Sequence, residues 1–335
     1  MERTKRGLLL AKTEATYAVD PIPTATANVI TTMRGEVTFS VETDSVIREI
    51  LDGGIGQVAG ENAMPRIKLN FKCELRGNRT DGVTADISKG AIANAIELDP
   101  LLQACDMAAT YTAETTNGAR DGFVTYKPTI PTDQGKGVTF WFYTEKKLHK
   151  VVGCKGTFKI SLTAGKFGVI EFEFRGRWVL PIDNGGFPPN AVFQDTKPPL
   201  FQTSFTTLDA WGGATFDVID CDLGNAVTLR PDANSVDAVA GFIITGRQSK
   251  GSINPESVAE GTHPVWNDFH TGKVKTLVTR LGINTGNMMT VTVSAQQRQV
   301  SYGDREGNRI TPINFDIVRS ALSTTLGNDF QLKFH

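Results

Sequence analysis

The chain has 335 residues, of which 40% are apolar and 21% charged, the balance of a protein that buries a core. Its 36 acidic and 35 basic side chains nearly cancel, which excludes a grip on nucleic acid driven by bulk charge. No stretch approaches the roughly 20 apolar residues of a membrane-spanning helix, so membrane insertion is not expected.

The opening Met1–Lys12 has a basic flank but only about four apolar residues before Lys12, short of a signal-peptide core. A protein folded in the cytoplasm is therefore expected. Cys73, Cys105, Cys154 and Cys221 are scattered without a C-x-x-C pair. Cys73 falls in phase with its apolar neighbours, which suits a small buried hydrophobe.

Residues 1–34 read as an irregular arm, because Pro21 and Pro23 with a run of Thr and Ala forbid a long helix. Such an arm is disordered or ordered by a partner. Glu36–Glu42 alternates as a strand. From Asp44 to Met64 the alternation dissolves into a glycine-rich, partly apolar excursion, of a length that is usually functional or disordered. Arg66–Arg76 then offers five inward positions: Ile67, Leu69, Phe71, Cys73 and Leu75. A helix is expected within 91–109, with Ile96, Leu101, Leu102 and Cys105 on one face and Pro100 near its first turn.

Gly137–Thr144 and Leu148–Cys154 predict a hairpin. The clearest hairpin follows: Thr157–Leu162 turns through Thr163-Ala-Gly-Lys-Phe-Gly168 into Val169–Gly176. Phe158, Ile160 and Leu162 face one way on the first arm, and Ile170, Phe172 and Phe174 do so on the second. Gly165 and Gly168 supply the positive φ that a tight reversal needs. Four consecutive antiparallel strands and one helix predict a mainly β, α+β sandwich or half-barrel.

Pro181–Leu200 carries five prolines and reads as a boundary. Beyond it strands are expected near 215–218, 226–229 and 239–247, with a short helix around 265–275. A closing meander follows at 274–281, 289–294, 298–302 and 313–317. The order strands, helix, strands thus recurs, as in a degenerate tandem duplication. The division is an arm (1–34), a first domain (35–185), a linker (186–200) and a second domain (201–335).

No stretch carries an enzyme's signature. His263 and His270 lie seven apart without H-E-x-x-H, and His149 reads as a solvated strand residue. Gly54-Ile-Gly56 with Gly60 lacks the βαβ setting of a dinucleotide loop, and Gly135-Lys-Gly137 lacks P-loop spacing. Asp217, Asp220 and Asp222, or Asp304 and Glu306, could hold calcium, although Asp304–Asn308 reads first as a turn. Glu171 and Glu173 share a strand face that is most simply solvated. No enzyme, no cofactor and no metal site is expected.

Three phrases resemble the tail tube (major tail) proteins of long-tailed bacteriophages. They are Leu9-Leu-Ala-Lys-Thr-Glu-Ala-Thr-Tyr-Ala-Val-Asp-Pro-Ile-Pro-Thr24, the hairpin Lys155–Gly176 with its Ala-Gly turn, and the closing Arg309-Ile-Thr-Pro-Ile-Asn-Phe-Asp-Ile-Val-Arg-Ser320. They cover the two ends and the centre of the chain. The resemblance implies tail-tube-like domains of two packed antiparallel sheets with a flanking helix, joined into a continuous β-barrel and stacked as a hollow tube. Most members carry one domain and form hexameric rings; two domains per chain would build a pseudo-hexameric ring from three chains, with a six-chain ring as the alternative.

The implied setting is the virion tail, assembled in the bacterial cytoplasm. The implied partners are further copies of the chain, the tape-measure protein and phage DNA in the lumen, and tail terminator and distal tail proteins at the ends. The 44–64 excursion would stack rings through Ile47, Arg48, Ile50, Leu51 and Ile55, while Ile67, Leu69, Phe71, Phe158, Ile160, Leu162, Ile170, Phe172 and Phe174 form the sheet core. The competing readings are another tail component of the same fold, such as a terminator or baseplate hub, and a carbohydrate-binding β-sandwich module.

Overall fold

The structure is a computed structural model. It describes residues 3, 6–51, 54–77, 96–112, 122–129, 136–184, 186–203, 205–209, 211–284, 286–319 and 329–335. Residues 91–95 of the expected helix window, Asp52 and Gly53 of the excursion, Gly135, Gly185, Ser320 and the Trp211 side chain lie outside this description.

The first half runs β1 (Leu8–Thr13), β2 (Val29–Ile30), β3 (Thr38–Arg48) and β4 (Val58–Glu74), then helix α1 (Asp99–Ala104). It continues with β5 (Met107–Thr112), β6 (Phe123–Pro128), β7 (Val138–Tyr143), β8 (Lys147–Thr163), β9 (Val169–Trp178) and β10 (Ile182–Asp183). Residues 186–200 hold no strand or helix. The second half opens with β11 (Thr206–Leu208), β12 (Trp211–Gly212), β13 (Val218–Asp222), β14 (Asn225–Pro231), β15 (Val239–Arg247) and β16 (Lys250–Ile253). Helix α2 (Val265–Thr271) precedes β17 (Val274–Leu281), β18 (Met289–Val300), β19 (Gly303–Arg305), β20 (Asn308–Ile310), β21 (Ile313–Ile317) and β22 (Phe330–Phe334). The protein is mainly β, and the strand pairings described are antiparallel.

Eight strands form one continuous run, β3-β4-β9-β8-β13-β16-β21-β18. The run divides into two sets of four with the same construction. The chain visits β3, β4, β8 and β9 but lays them side by side as β3-β4-β9-β8. It visits β13, β16, β18 and β21 and lays them as β13-β16-β21-β18. A short helix falls between the second and third strand of each set. The sets meet where Val218–Asp222 of β13 pairs with Thr163–Lys159 of β8. The final strand β22 pairs with β18 on one side and β6 on the other, a second link between the halves. Within one chain the run does not close into a barrel, since β3 and β18 at its ends do not pair with each other.

The period-two reading holds for the core. Ile67, Leu69, Phe71, Cys73 and Leu75 are all buried, as are Phe158, Ile160, Leu162, Ile170, Phe172 and Phe174. Phe158 stands opposite Phe172, and Ile160 opposite Ile170. Phe158 also meets Phe330 of β22 edge-on at 5.8 Å, so the apolar faces of the two halves share one core. Each ring so buried contributes about 1.5–3 kcal/mol of transfer free energy. Pro100 lies in the first turn of α1, and Ile96, Leu101, Leu102 and Cys105 are buried beneath it, as expected.

Several expectations are corrected. The arm at 1–34 is not irregular throughout: Leu8–Thr13 pairs along the whole of β7, and Leu9, Leu10 and Ala11 are each 1% exposed. The prolines exclude a helix there but not a strand. The excursion at 44–64 is mostly an extended hairpin, because β3 and β4 stay paired out to Arg48 and Val58. The strands expected at 148–154 and 157–162 are one, β8. Gly153, at φ 65°, absorbs a bulge between Val152 and Lys155 without turning the chain. Met289–Ser294 and Arg298–Tyr302 likewise belong largely to one strand, β18, bulged between Gln297 and Gln299. The strand near 215–218 lies at Val218–Asp222. Gly165 has the expected positive φ of 73°, but Gly168 does not. A Cβ at Gly168 would come within 2.7 Å of Leu281 and 2.9 Å of Leu162, so packing is what holds that position to glycine.

Candidate assembly surface

The wet side of the eight-strand run carries a charge pattern that crosses both halves. Lys72 stands opposite Glu171, Glu171 opposite Lys159, and Lys159 opposite Asp222. Asp222 stands opposite Lys250, and Lys250 opposite Asp316. Glu36 extends the row at one end, 2.9 Å from Lys72, and Arg298 at the other, 2.6 Å from Asp316. The signs alternate at every step and cancel along the row. Opposite charges directly across a sheet attract, and like charges repel, so the pattern favours this register. Lys159, Asp220, Asp222, Lys250, Asn314 and Asp316 line a shallow concave groove on this side.

Two long hairpins leave the run at matching places. The first is formed by the outer ends of β3 and β4. At its root the Arg66 guanidinium lies 2.9 Å from Asp44 and 3.5 Å from Glu42, which holds the Asp44 carboxyl below the usual carboxylate range. Gly60 is required, because a Cβ there would lie 2.3 Å from the carbonyl oxygen of Val46. At the far end the structure brings together the predicted contact residues Ile47, Arg48, Ile50, Leu51 and Ile55. Val46 and Ile47 are about half exposed, and Leu51 and Ile55 are fully so. Apolar side chains are thus grouped in the open at the end of this hairpin, which makes it a candidate interaction surface.

The second hairpin, β14–β15, continues the β13–β16 pair outward. It is seated. Val239 and Phe242 are each 1% exposed, and the hairpin packs on β8 and β9. The Tyr17 hydroxyl accepts from the Phe242 amide at 2.6 Å and donates to the Gly153 carbonyl at 2.8 Å. At the root, the Asn225 side-chain amide donates to the carbonyls of Cys105 at 2.8 Å and Gly156 at 3.0 Å. Burial pushes the Tyr17 phenol far above its ordinary range, so it stays a neutral donor.

Two polar features beneath this surface carry no sequence signal. Lys155 and Asp106 form a buried pair at 2.8 Å, and burial raises the Asp106 carboxyl while Lys155 opposes that rise. The Glu14 carboxylate is buried against Thr139 and the Gly153 amide, each at 2.6 Å. Both sit at the β8 bulge, a place visible only once the register is known.

The other candidate residues do not converge. Among the described residues, no three His, Cys, Asp or Glu side chains are placed to share a metal ion. His263 is buried and His270 exposed. His149 is not a solvated strand residue: its ring packs on Phe39 with centroids 4.7 Å apart. Asp217 is engaged by Arg305 at 3.0 Å, and the Asp304 carboxylate accepts from the Gly307 amide at 3.3 Å, closing the expected turn between β19 and β20. Glu173 pairs with Lys68 at 3.2 Å. Trp141 is covered by Lys150, whose ammonium lies 4.0 Å from the ring centroid.

No protein-family model matches the sequence, and no curated protein matches it.

Proposed function

We propose that this protein is a structural subunit that closes into rings and stacks as a hollow tube, of the kind its resemblance to tail tube proteins suggests. The observation that carries the reading is the junction of β8 with β13. One four-strand set already joins the next there, in register and antiparallel, and the second set repeats the strand order of the first. Eight strands is an even number, so the outer strands β3 and β18 run in opposite directions. An antiparallel sheet can then continue from β18 of one copy into β3 of the next. Among the described residues β3 pairs only with β4, and no strand pairs with the β17-side edge of Gln297–Val300. Unpaired edges of this kind invite a further chain.

Three such copies would make a ring of six four-strand sets, the pseudo-hexamer expected of tandem tail-tube-like domains. The concave alternating-charge face would line the lumen. Its cancelling charges would let a phosphate backbone pass without a firm grip, since each unopposed cation adds a salt-dependent phosphate contact. The tandem domain reading, the virion setting and the partners at the tube ends rest on the same resemblance.

The test is negative-stain imaging of concentrated purified protein together with the mass of isolated rings. Rings of three copies that stack into tubes are expected. Rings of six would keep the tube and discard the tandem reading. A monomer at all concentrations overturns the proposal, and a glycan array would then test the binding-module alternative.

A further inference from the structure

The seated hairpin β14–β15 and the bare hairpin of β3 and β4 occupy the same position in the two sets. Each links the first strand of its set to the second, and each returns through Val-Ala-Gly: Val58-Ala-Gly60 in one, Val239-Ala-Gly241 in the other. Both pairings are irregular at that tripeptide. In the first hairpin the partners jump from Val46↔Glu61 to Arg48↔Val58; in the second, from Arg230↔Gly241 to Pro231↔Val239. A bulge is a local irregularity with its own bend and twist, so both hairpins depart from regular pairing at corresponding places.

The seats correspond as well. The second hairpin rests on the set preceding its own in the sheet, tied by Tyr17 to the bulge of β8 at Gly153. The first hairpin has no preceding set within its own chain. Across a copy-to-copy junction, the set preceding it is the second set of the neighbour, whose strand β18 occupies the place of β8 and carries its own bulge at Arg298. Beside that bulge the Gln297 side chain is buried, 6% exposed. Among the described residues neither its oxygen nor its nitrogen has a hydrogen-bond partner. A buried amide without partners costs about 1–3 kcal/mol, so β18 is left locally unsatisfied at its bulge.

We infer that the β3–β4 hairpin of one copy lies across the second set of the adjacent copy in the same ring, its Val58–Glu61 segment against the β18 bulge at Gln297–Gln299, as β14–β15 lies across the first set of its own chain. The occupant is a second copy of this chain. The surface buried includes Val46 and Ile47, and the hairpin thereby clamps the β18–β3 junction from outside the strand pairing. The inference rests on the ring reading above. It differs from the sequence expectation in placing this hairpin on the side-by-side neighbour instead of the next ring along the tube.

The experiment uses the full chain with Glu61→Cys and Arg298→Cys together, assembled and then oxidised. Glu61 follows Val-Ala-Gly as Phe242 does, and Arg298 marks the β18 bulge. The four native cysteines are buried, and the two single-cysteine variants are the controls. The expected result, on non-reducing gels, is a ladder of covalent oligomers in the double variant alone that stops at the number of copies in one ring, as counted by imaging. Failure to cross-link within imaged, assembled rings overturns the hairpin's placement and leaves the ring intact. A ladder running well past the ring's copy number also overturns it, since the hairpin would then join stacked rings. If wild-type protein forms no rings, the reading beneath the inference fails first.

Discussion

Lys159 and Asp222 stand directly opposite each other on strands that come from different halves of the chain, at the seam where the two four-strand sets meet. Each also faces a partner on its other side, Glu171 and Lys250. The seam is therefore fixed by charge on its wet side and by Ile160 and Cys221 on its dry side. Lys159→Glu is expected to place like charges at three positions in a row and to cost about 0.5–1 kcal/mol at each contact. The double exchange Lys159→Asp with Asp222→Lys should recover none of that. It restores the contact between positions 159 and 222 but sets position 222 against Lys250 and keeps position 159 against Glu171, again two like-charge contacts. Urea melts of the parent and both variants check this, and equal stability throughout would mean that the row does not set register.

Tyr17, Tyr111 and Tyr126 are all held neutral by burial, with phenols well above their ordinary value near 10. The unfolded chain ionises these groups as pH passes about 10 and the folded chain does not, so their contribution is present below that pH and is lost as pH rises beyond it. Tyr17→Phe is expected to soften the alkaline loss and to cost about 1–3 kcal/mol at neutral pH, since the Phe242 amide and Gly153 carbonyl lose their shared partner. Stability measured from pH 7 to 11 gives both numbers.

His335 has the opposite sign. Burial first, then Lys333 and Arg280, bring its imidazole down to about 4. The unfolded chain takes up a proton near pH 6.5 and the folded chain does not, so stability falls as pH drops from 6.5 toward 4. His335→Phe should flatten that limb of the profile. An unchanged acid limb would show that the imidazole is not buried as placed.

Lys155 and Asp106 each neutralise a charge that could not otherwise remain at that depth. Asp106→Ala is expected to cost about 3–5 kcal/mol by leaving the ammonium unpaired. Replacing both, as Lys155→Met with Asp106→Leu, should be much milder, and it tests whether the pair contributes stability or only the placement of α1 against β8. Asp106 has φ 57°, so its replacement also carries a backbone cost of about 1 kcal/mol.

Deleting residues 45–62 and closing β3 on β4 with a two-residue turn removes the projecting hairpin and leaves Phe39↔Leu69 and Val41↔Ile67 paired. The variant is expected to melt as the parent does and to form no rings or tubes. Full-length tubes from this variant, seen by imaging, would remove the hairpin from assembly.

The sequence by itself determined the apolar faces. Side-chain alternation is a local property, so Ile67 to Leu75 and Phe158 to Phe174 declare their buried sides without reference to anything distant. The turn at Gly165 and the reversal at Asp304–Asn308 are equally local, since only a few residue types accept their backbone angles. What the tertiary structure decided is everything that depends on which strand lies beside which. Leu8–Thr13 becomes an interior strand because β7, far along the chain, offers it an edge. The break in alternation at Gly153 is a bulge, not a turn, because β9 stays paired on both sides of it.

Lys155, Asp106 and Glu14 look like surface charges in the sequence, and they are buried because the β8 bulge and the end of α1 close over them. The alternating row from Glu36 to Arg298 could not be read along the chain either. Its members are spaced irregularly in sequence and line up only through the registers of successive strand pairs. Local alternation sets which side of a strand is dry; only the pairing of distant strands sets what each wet side chain faces.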